Sequence, residues 1–172
     1  MFESNSELET LQRLLDNSFE RSGKGKLAGF SPDQRLSAPQ LAGFRGIRLV
    51  SIASVNSKQE PRVAPRSAAF LHGKFYLAAN SDSISVRRLR ANPSTAITYY
   101  ENHVLIMGHG KVTFLSIDDS ASASVSKEWK EAFRGGRDAL RGVDLFVVVE
   151  ATHLVAFANL PRRYPAAWDR TS

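Results

Sequence analysis

The apolar residues of this chain change period once, and that change limits the possible folds more than any motif does. Before residue 45 they recur at helical spacing, as in Leu8, Leu11, Leu14, Leu15 and Phe19. From Ile47 the period falls to two. Ile47, Leu49, Ser51, Ala53 and Val55 alternate with Arg48, Val50, Ile52 and Ser54, the pattern of a strand buried on most of both faces. Residues 1–45 are therefore expected to form an N-terminal helical extension, within a single domain of residues 1–172 whose remainder is dominated by strands.

In the extension, Ser6 followed by Glu9 has the form of a capping box, so a first helix should begin there and stop near Ser22-Gly23-Lys24-Gly25. The polar stretch to Arg35 reads as a linker or extended arm. Ser37, with Pro39 in the first turn and Gln40 at the third position, predicts a short helix reaching Phe44. Beyond the alternating strand, residues 56–60 read as a hairpin loop, Arg62 to Phe70 as a second strand, His72-Gly73 as a tight turn and Lys74 to Ala79 as a third strand. Asn80-Ser81-Asp82-Ser83 should cap a helix from Ile84 to Arg90, closed by Asn92-Pro93. Strands are expected at Thr95 to Tyr100 and Val104 to Ile117, the second interrupted at Gly108-His109-Gly110 by a bulge or by close approach of a ligand or partner chain. Asp118-Asp119-Ser120 opens a helix to about Phe133, Arg134-Gly135-Gly136-Arg137 reads as a loop, and Leu145 to Glu150 and His153 to Ala158 read as a final hairpin. Six or seven antiparallel strands with inserted helices predict a mainly β fold with flanking helices, a closed or split antiparallel β-barrel, because closure removes exposed edges.

Composition bears on chemistry mainly by exclusion. The absence of cysteine among 172 residues removes thiol catalysis, iron–sulfur ligation and disulfides. The longest apolar run, Leu145 to Val149, is far too short for a membrane helix, and the N-terminus is acidic and amphipathic, so a cytoplasmic protein is expected. No dinucleotide fingerprint, P-loop, nucleophile elbow or zincin motif is present. His72, His103, His109 and His153 fall on separate turns and strands without metal-site spacing, and no metal is expected. Net charge is +6, but the basic residues are dispersed, with local concentrations at Arg62/Arg66, Arg87 to Arg90, Arg134 to Arg141 and Arg162-Arg163. No basic tail or nucleic-acid motif accompanies them, so a nucleic-acid partner is not expected.

One cluster combines the donors a phosphate monoester needs: the segment from Asn80 to Arg88, with Arg62 and Arg66 on the second strand. Amides at a helix N-terminus, short hydroxyls and guanidinium groups act on the same oxygens. The plainer alternative is that Asn80 or Ser83 caps the helix while the arginines are solvated.

Four segments in order carry a resemblance: Arg62-Val63-Ala64-Pro65, then Phe75 to Asn80 with Ser83, then Val86 to Pro93, then His109-Gly110-Lys111-Val112. Together they resemble the pyridoxamine 5′-phosphate oxidase-like family over roughly residues 36 to 158, and the helical extension with Leu36-Ser37 before the first strand looks like its actinobacterial members in particular. That resemblance implies a flavin- or deazaflavin-binding split β-barrel, a homodimer with the cofactor at the interface, and a small-molecule substrate. By position it places Arg62, Pro65, Arg66 and Ser67 on the strand lining the cofactor, and Ala79, Asn80 and Ser83 at the turn receiving the phosphate, with Ser85, Arg87 and Arg88 beside them. FMN is the implied cofactor, the deazaflavin coenzyme F420 the alternative. Where relatives often carry Ser-x-Lys this chain has Ser83-Ile84-Ser85, so a phosphate-facing cation is missing, and Arg66 stands as its replacement. The Arg and His of pyridoxal-phosphate synthesis are not recognisable near Leu160 to Tyr164. The function expected is therefore a flavin- or deazaflavin-dependent oxidoreductase, with a non-catalytic flavin, deazaflavin or haem binder as the first alternative and a basic nucleic-acid-binding module as the second.

Overall fold

The computed structural model describes residues 3–22, 31–44, 46–132 and 140–158. The expected loop at Arg134 to Arg137, most of the arm before Arg35, and Arg162-Arg163 lie outside them.

Helix α1 (Asn5–Arg21) starts two residues earlier than its sequence suggests, because Ser4-x-x-Glu7 has the same form as Ser6-x-x-Glu9 and closes the box. The Ser4 hydroxyl accepts from the Glu7 amide at 3.3 Å, and the Ser4 amide donates back to the Glu7 carboxylate at 2.7 Å. The earlier start also sets Glu7 3.2 Å from His72 Nδ1, a tertiary contact that decides between two local signals of equal quality. Leu11 and Leu15 are buried, with Leu8 and Leu14 packed beside them against the barrel core. Phe19 packs on Leu105, Val155 and Phe157 and lies under the Arg35 guanidinium, 4.2 Å from its ring centre. Ser18, on the same face, accepts from the Leu154 amide at 2.9 Å. A single 3₁₀ turn (Pro32–Gln34) leads to α2 (Ala38–Ala42), whose Ser37/Gln40 box is the predicted one, although the helix ends before Phe44.

Six strands follow: β1 (Ile47–Val55), β2 (Pro61–Leu71), β3 (Lys74–Ala79), β4 (Ser94–Glu101), β5 (Val104–Ser116) and β6 (Leu145–Phe157). They close into an antiparallel barrel in the order β1-β2-β3-β6-β5-β4, with β4 returning to β1. The tight hairpins turn at His72-Gly73 and Asn102-His103, where both central residues have positive φ, the geometry whose twist matches the flanking strands. Helix α3 (Ile84–Ala91) carries the chain from β3 across to β4, and Asp119 caps a 3₁₀ turn (Ser120–Ser122) before α4 (Ala123–Ala132).

Two expectations about strands are corrected. The final hairpin is instead one strand, β6, 13 residues long. His109 pairs with His153 but Gly110 pairs with Ala151, so Thr152 is left over as a bulge. One extra residue reverses the alternation. It keeps Val147, Val149, Leu154 and Ala156 all on the core side, and in sequence that phase reversal imitates a turn. The expected irregularity at Gly108 to Gly110 is therefore real, but its extra residue belongs to β6. The close approach at Gly110 comes from β6 itself: a Cβ there would collide with the Glu150 carbonyl oxygen. Second, β1 is buried on one face only, since Leu49 is 69% exposed.

The core has two parts. Inside the barrel, Val50, Ile52, Phe70, Phe75, Ile97 and Ile106 pack together, and on the outer wall Val125 and Trp129 of α4 cover Ala69, Leu71, Tyr76, Phe146 and Val148. At the α2 end of the barrel, Phe44 meets Tyr99 edge-on at 5.0 Å and Phe70 meets Phe75 at 4.8 Å, leaving a void of only about 10 Å³.

Candidate functional site

The opposite end of the barrel is covered by α3, and it is not filled. Ser83 caps that helix, its hydroxyl accepting from the Val86 amide at 3.3 Å, and Val86 and Leu89 turn down towards Ile52, Leu77 and Val147. Aliphatic side chains at this end leave a cleft of about 210 Å³. Its polar lining is Arg66, Asn80, Ser83 and Ser85, with Ala79 between them, so five of the ten residues proposed from the sequence meet at one place.

Arg66 reaches from β2 to the first turn of α3, where Nη2 donates to the Ser85 hydroxyl at 2.5 Å. No carboxylate among the described residues pairs with it. Beside it lie the first-turn amides of Ile84 and Ser85, which have no acceptor within a helix and sit at its positive end. A cation, a hydroxyl and helix N-terminal amides at the mouth of an apolar cleft form a donor set for an anionic head group. Arg66 is the one ionisable side chain among the described residues lining the cleft, so no general acid or base accompanies it.

The other five proposed residues are placed elsewhere. Arg62 is four residues from Arg66 on β2, but its guanidinium is held at 2.6 Å by Glu60 in the β1–β2 loop. Pro65 and Ser67 pair with Ser51 and Leu49 and share the exposed outer face of the wall. Arg87 is exposed on α3, Arg88 is half-buried, and neither lines the cleft. Asn80 lines it with its amide already engaged, Oδ1 accepting from the Asp82 amide at 2.8 Å and Nδ2 donating to the Gly142 carbonyl at 3.3 Å.

The sequence reading missed Asp144. Its carboxylate accepts from the Ser81 amide at 2.7 Å and from the Ser81 hydroxyl, which holds its pKa below the usual carboxylate range. Asp144 thereby anchors the turn before α3 to the start of β6 and keeps a negative charge there. Val143, next to it, lines the cleft. A lone acid ahead of the apolar run Leu145 to Val149 was the only local signal, and it does not name a partner 63 residues away.

Two histidines also meet. His109 and His153 stack across β5 and β6 with ring centres 4.8 Å apart, and His153 Nε2 lies 3.3 Å from the Ser22 hydroxyl at the end of α1. Burial first, then the neighbouring His109 and Arg21, push the His153 pKa down. Among the described residues no group of three His, Cys, Asp or Glu side chains is placed to hold a metal, and no helix is long and apolar enough to cross a membrane.

The fold is shared with solved structures of low sequence identity. A conserved hypothetical protein from Mycobacterium tuberculosis superposes with a TM-score of 0.60 at 13% identity, over 79% of this chain and 96% of that one. A pyridoxamine 5′-phosphate oxidase-related, FMN-binding protein from Nostoc punctiforme gives 0.51 at 14% identity, over 67% of this chain and 76% of its own. An F420 reductase gives 0.51 at 17% identity, over 64% and 90%. No curated protein sequence matches the chain. Residues 38–153, from α2 through the bulge of β6, match the sequence model named pyridoxamine 5′-phosphate oxidase. The barrel, its α3 crossover and this match over more than half of the chain agree, and the protein belongs to the pyridoxamine 5′-phosphate oxidase family.

Proposed function

We propose that the protein is a flavin- or deazaflavin-dependent oxidoreductase that holds its cofactor by a phosphate at Arg66, Ser83, Ser85 and the first turn of α3. The observation that carries this reading is Arg66: a guanidinium paired with no carboxylate among the described residues and tied at 2.5 Å to a hydroxyl at a helix N-terminus. These groups suit a phosphate, and Arg66 stands in for the lysine absent from Ser83-Ile84-Ser85. The bound flavin or deazaflavin supplies the hydride chemistry. The chain supplies the rest: Arg66 and the α3 amides fix the anion, and the apolar wall excludes water. The absence of an acid or base from the described cleft residues agrees with that division of labour. FMN is the first choice and coenzyme F420 the second, in keeping with the names of the Nostoc protein and the reductase.

A second copy of the chain completes this reading. On the outer wall of β1, β2 and β4, Leu49, Val63 and Tyr100 are 69%, 70% and 54% exposed, and Pro65, Ser67 and Thr98 lie among them without a charge. Such a face suits a symmetric partner. Light scattering should give twice the 19.0 kDa of one chain, and a 19.0 kDa particle at micromolar concentration would overturn the dimer.

The deciding experiment is equilibrium binding of FMN, coenzyme F420 and riboflavin to the purified protein, followed by anaerobic reduction of the bound form. Arg66→Ala should weaken FMN binding by roughly ten- to 150-fold through loss of a charge-assisted contact. It should leave riboflavin binding unchanged. Arg62→Ala should cost far less, because Glu60 already neutralises that side chain. Equal losses at both arginines would show a general charge effect, and tight binding without reductive turnover would favour the non-catalytic binder.

A further inference from the structure

The phosphate reading uses the rim of the cleft and leaves its interior unexplained. Behind Arg66 the walls are carbon: Ile52, Leu77, Val86, Leu89, Val143 and Val147. A phosphate has no use for such a surface, since every donor it needs sits outside and entering would strip its hydration without replacement. We propose that this interior is a binding site for a small apolar monocarboxylate, with a ring-sized or short branched body between the barrel wall and α3 and its carboxylate on Arg66. Such acids then compete with the cofactor's phosphate. The competition rests on the phosphate reading; the carboxylate site does not.

Size sets the body of the ligand. An apolar cavity of about 150 Å³ lined by aliphatic and aromatic side chains stays dry and takes up benzene, and the cleft here, about 210 Å³, is somewhat larger. A six-membered ring with one substituent fits that space, whereas a long acyl chain exceeds it.

Charge sets the head. A guanidinium has five N–H donors in a planar fork, and Arg66 engages one of them with Ser85. The remaining edge suits the two oxygens of a carboxylate. Arg35, Arg62 and Lys74 each hold a carboxylate of the protein at 2.6–2.7 Å, while Arg66, at the hollow barrel end, holds none among the described residues. Asp144 narrows the set of donors at the turn. It stays ionised at the turn leading into α3 and occupies the amide and hydroxyl of Ser81, so those donors do not face an incoming anion. One cation that no carboxylate among the described residues pairs suits the single charge of a monocarboxylate.

The test is calorimetric titration of the purified full chain with cyclohexanecarboxylate, cyclohexylmethanol, acetate and inorganic phosphate. Cyclohexanecarboxylate should bind at least tenfold more tightly than acetate, which lacks the body, and than cyclohexylmethanol, which lacks the charge. Arg66→Gln should weaken it tenfold or more. Ala79→Leu, which fills the cleft from its wall, should abolish it. Should that variant fail to fold, nuclear Overhauser contacts in the wild-type protein, from ring protons to the methyls of Ile52, Leu77 and Val147, give the same answer. Acetate binding as tightly as cyclohexanecarboxylate, or no ring contact to those methyls, would overturn the proposal. The two readings separate cleanly. Carboxylate binding that depends on Arg66 in a protein that takes up neither FMN nor coenzyme F420 sustains this site and removes the cofactor reading, and cofactor uptake that cyclohexanecarboxylate does not weaken removes the competition.

Discussion

At one end of the barrel Phe44, Phe70, Phe75 and Tyr99 interlock and leave about 10 Å³; at the other, Ile52, Leu77, Val86 and Leu89 leave about 210 Å³. The same six strands build both ends. The difference lies in what closes them. The filled end is plugged by rings that meet edge to face, while the hollow end is roofed by an eight-residue helix that presents only Val86 and Leu89 to the core. At the hollow end stands Arg66, which no carboxylate among the described residues pairs. At the filled end Arg48 has its guanidinium over the Phe44 ring, 4.8 Å from the ring centre. Packing density and available chemistry are thus segregated along one axis.

If that segregation is real, the largest effect belongs to the plug. Phe75→Ala should lower unfolding stability by about 3–5 kcal/mol, whereas Leu89→Ala should cost about 2 kcal/mol, because atoms facing empty space lack partners to lose. Denaturant midpoints at unchanged slope give both values, and equal losses would break the comparison. Next in size is overfilling. Ala68→Leu beside the plug should cost about 1–3 kcal/mol through strain, while Ala79→Leu should stay within about 1 kcal/mol of wild type because the cleft receives the added atoms.

The smallest effect concerns the side wall, where α1 meets β6. The folded state holds the His153 pKa down, mainly by burial, so the unfolded chain takes up the proton more readily. Stability from this residue is therefore complete above about pH 6.5 and is lost as pH falls below that value. His153→Gln should flatten thermal stability between pH 7 and 5 (roughly the range in which an ordinary histidine titrates) without altering the Phe75 and Leu89 difference. A change in that difference would show that the wall and the ends are coupled.

How much of this was legible beforehand varies with the distance over which each decision is made. The Ser37/Gln40 box, the β1–β2–β3 run and the capping of α3 by Ser83 are settled within a few residues, and each was read correctly. The start of α1 was misplaced because two overlapping boxes are equally good locally and His72 chooses between them. The bulge at Thr152 was read as a turn because a phase reversal in one strand and a chain reversal leave the same trace in an alternating pattern. Of the residues that line the cleft, Ala79, Asn80, Ser83 and Ser85 belong to one short segment and Arg66 to β2, and the sequence brings these five forward together. Arg62 is paired with Glu60 two residues away while Arg66 reaches Ser85, and Asp144 enters from a distant part of the chain.

The strand order also bears on how the chain acquires its structure. β6 is inserted between β3 and β5, so it is the stave that closes the barrel, and it follows the other five in sequence. During synthesis β1, β2 and β3 can pair as they emerge, and β4 can join β1 and then β5. Until the segment up to Phe157 has left the ribosome, β3 and β5 both present unsatisfied edges, and the core that β6 supplies through Val147, Val149 and Leu154 stays open to water. Completion depends on contacts of long sequence separation made last, which slow folding and lengthen exposure to aggregation. Ribosome-bound chains halted before residue 145 should therefore recruit chaperones, and chains released past residue 158 should escape them.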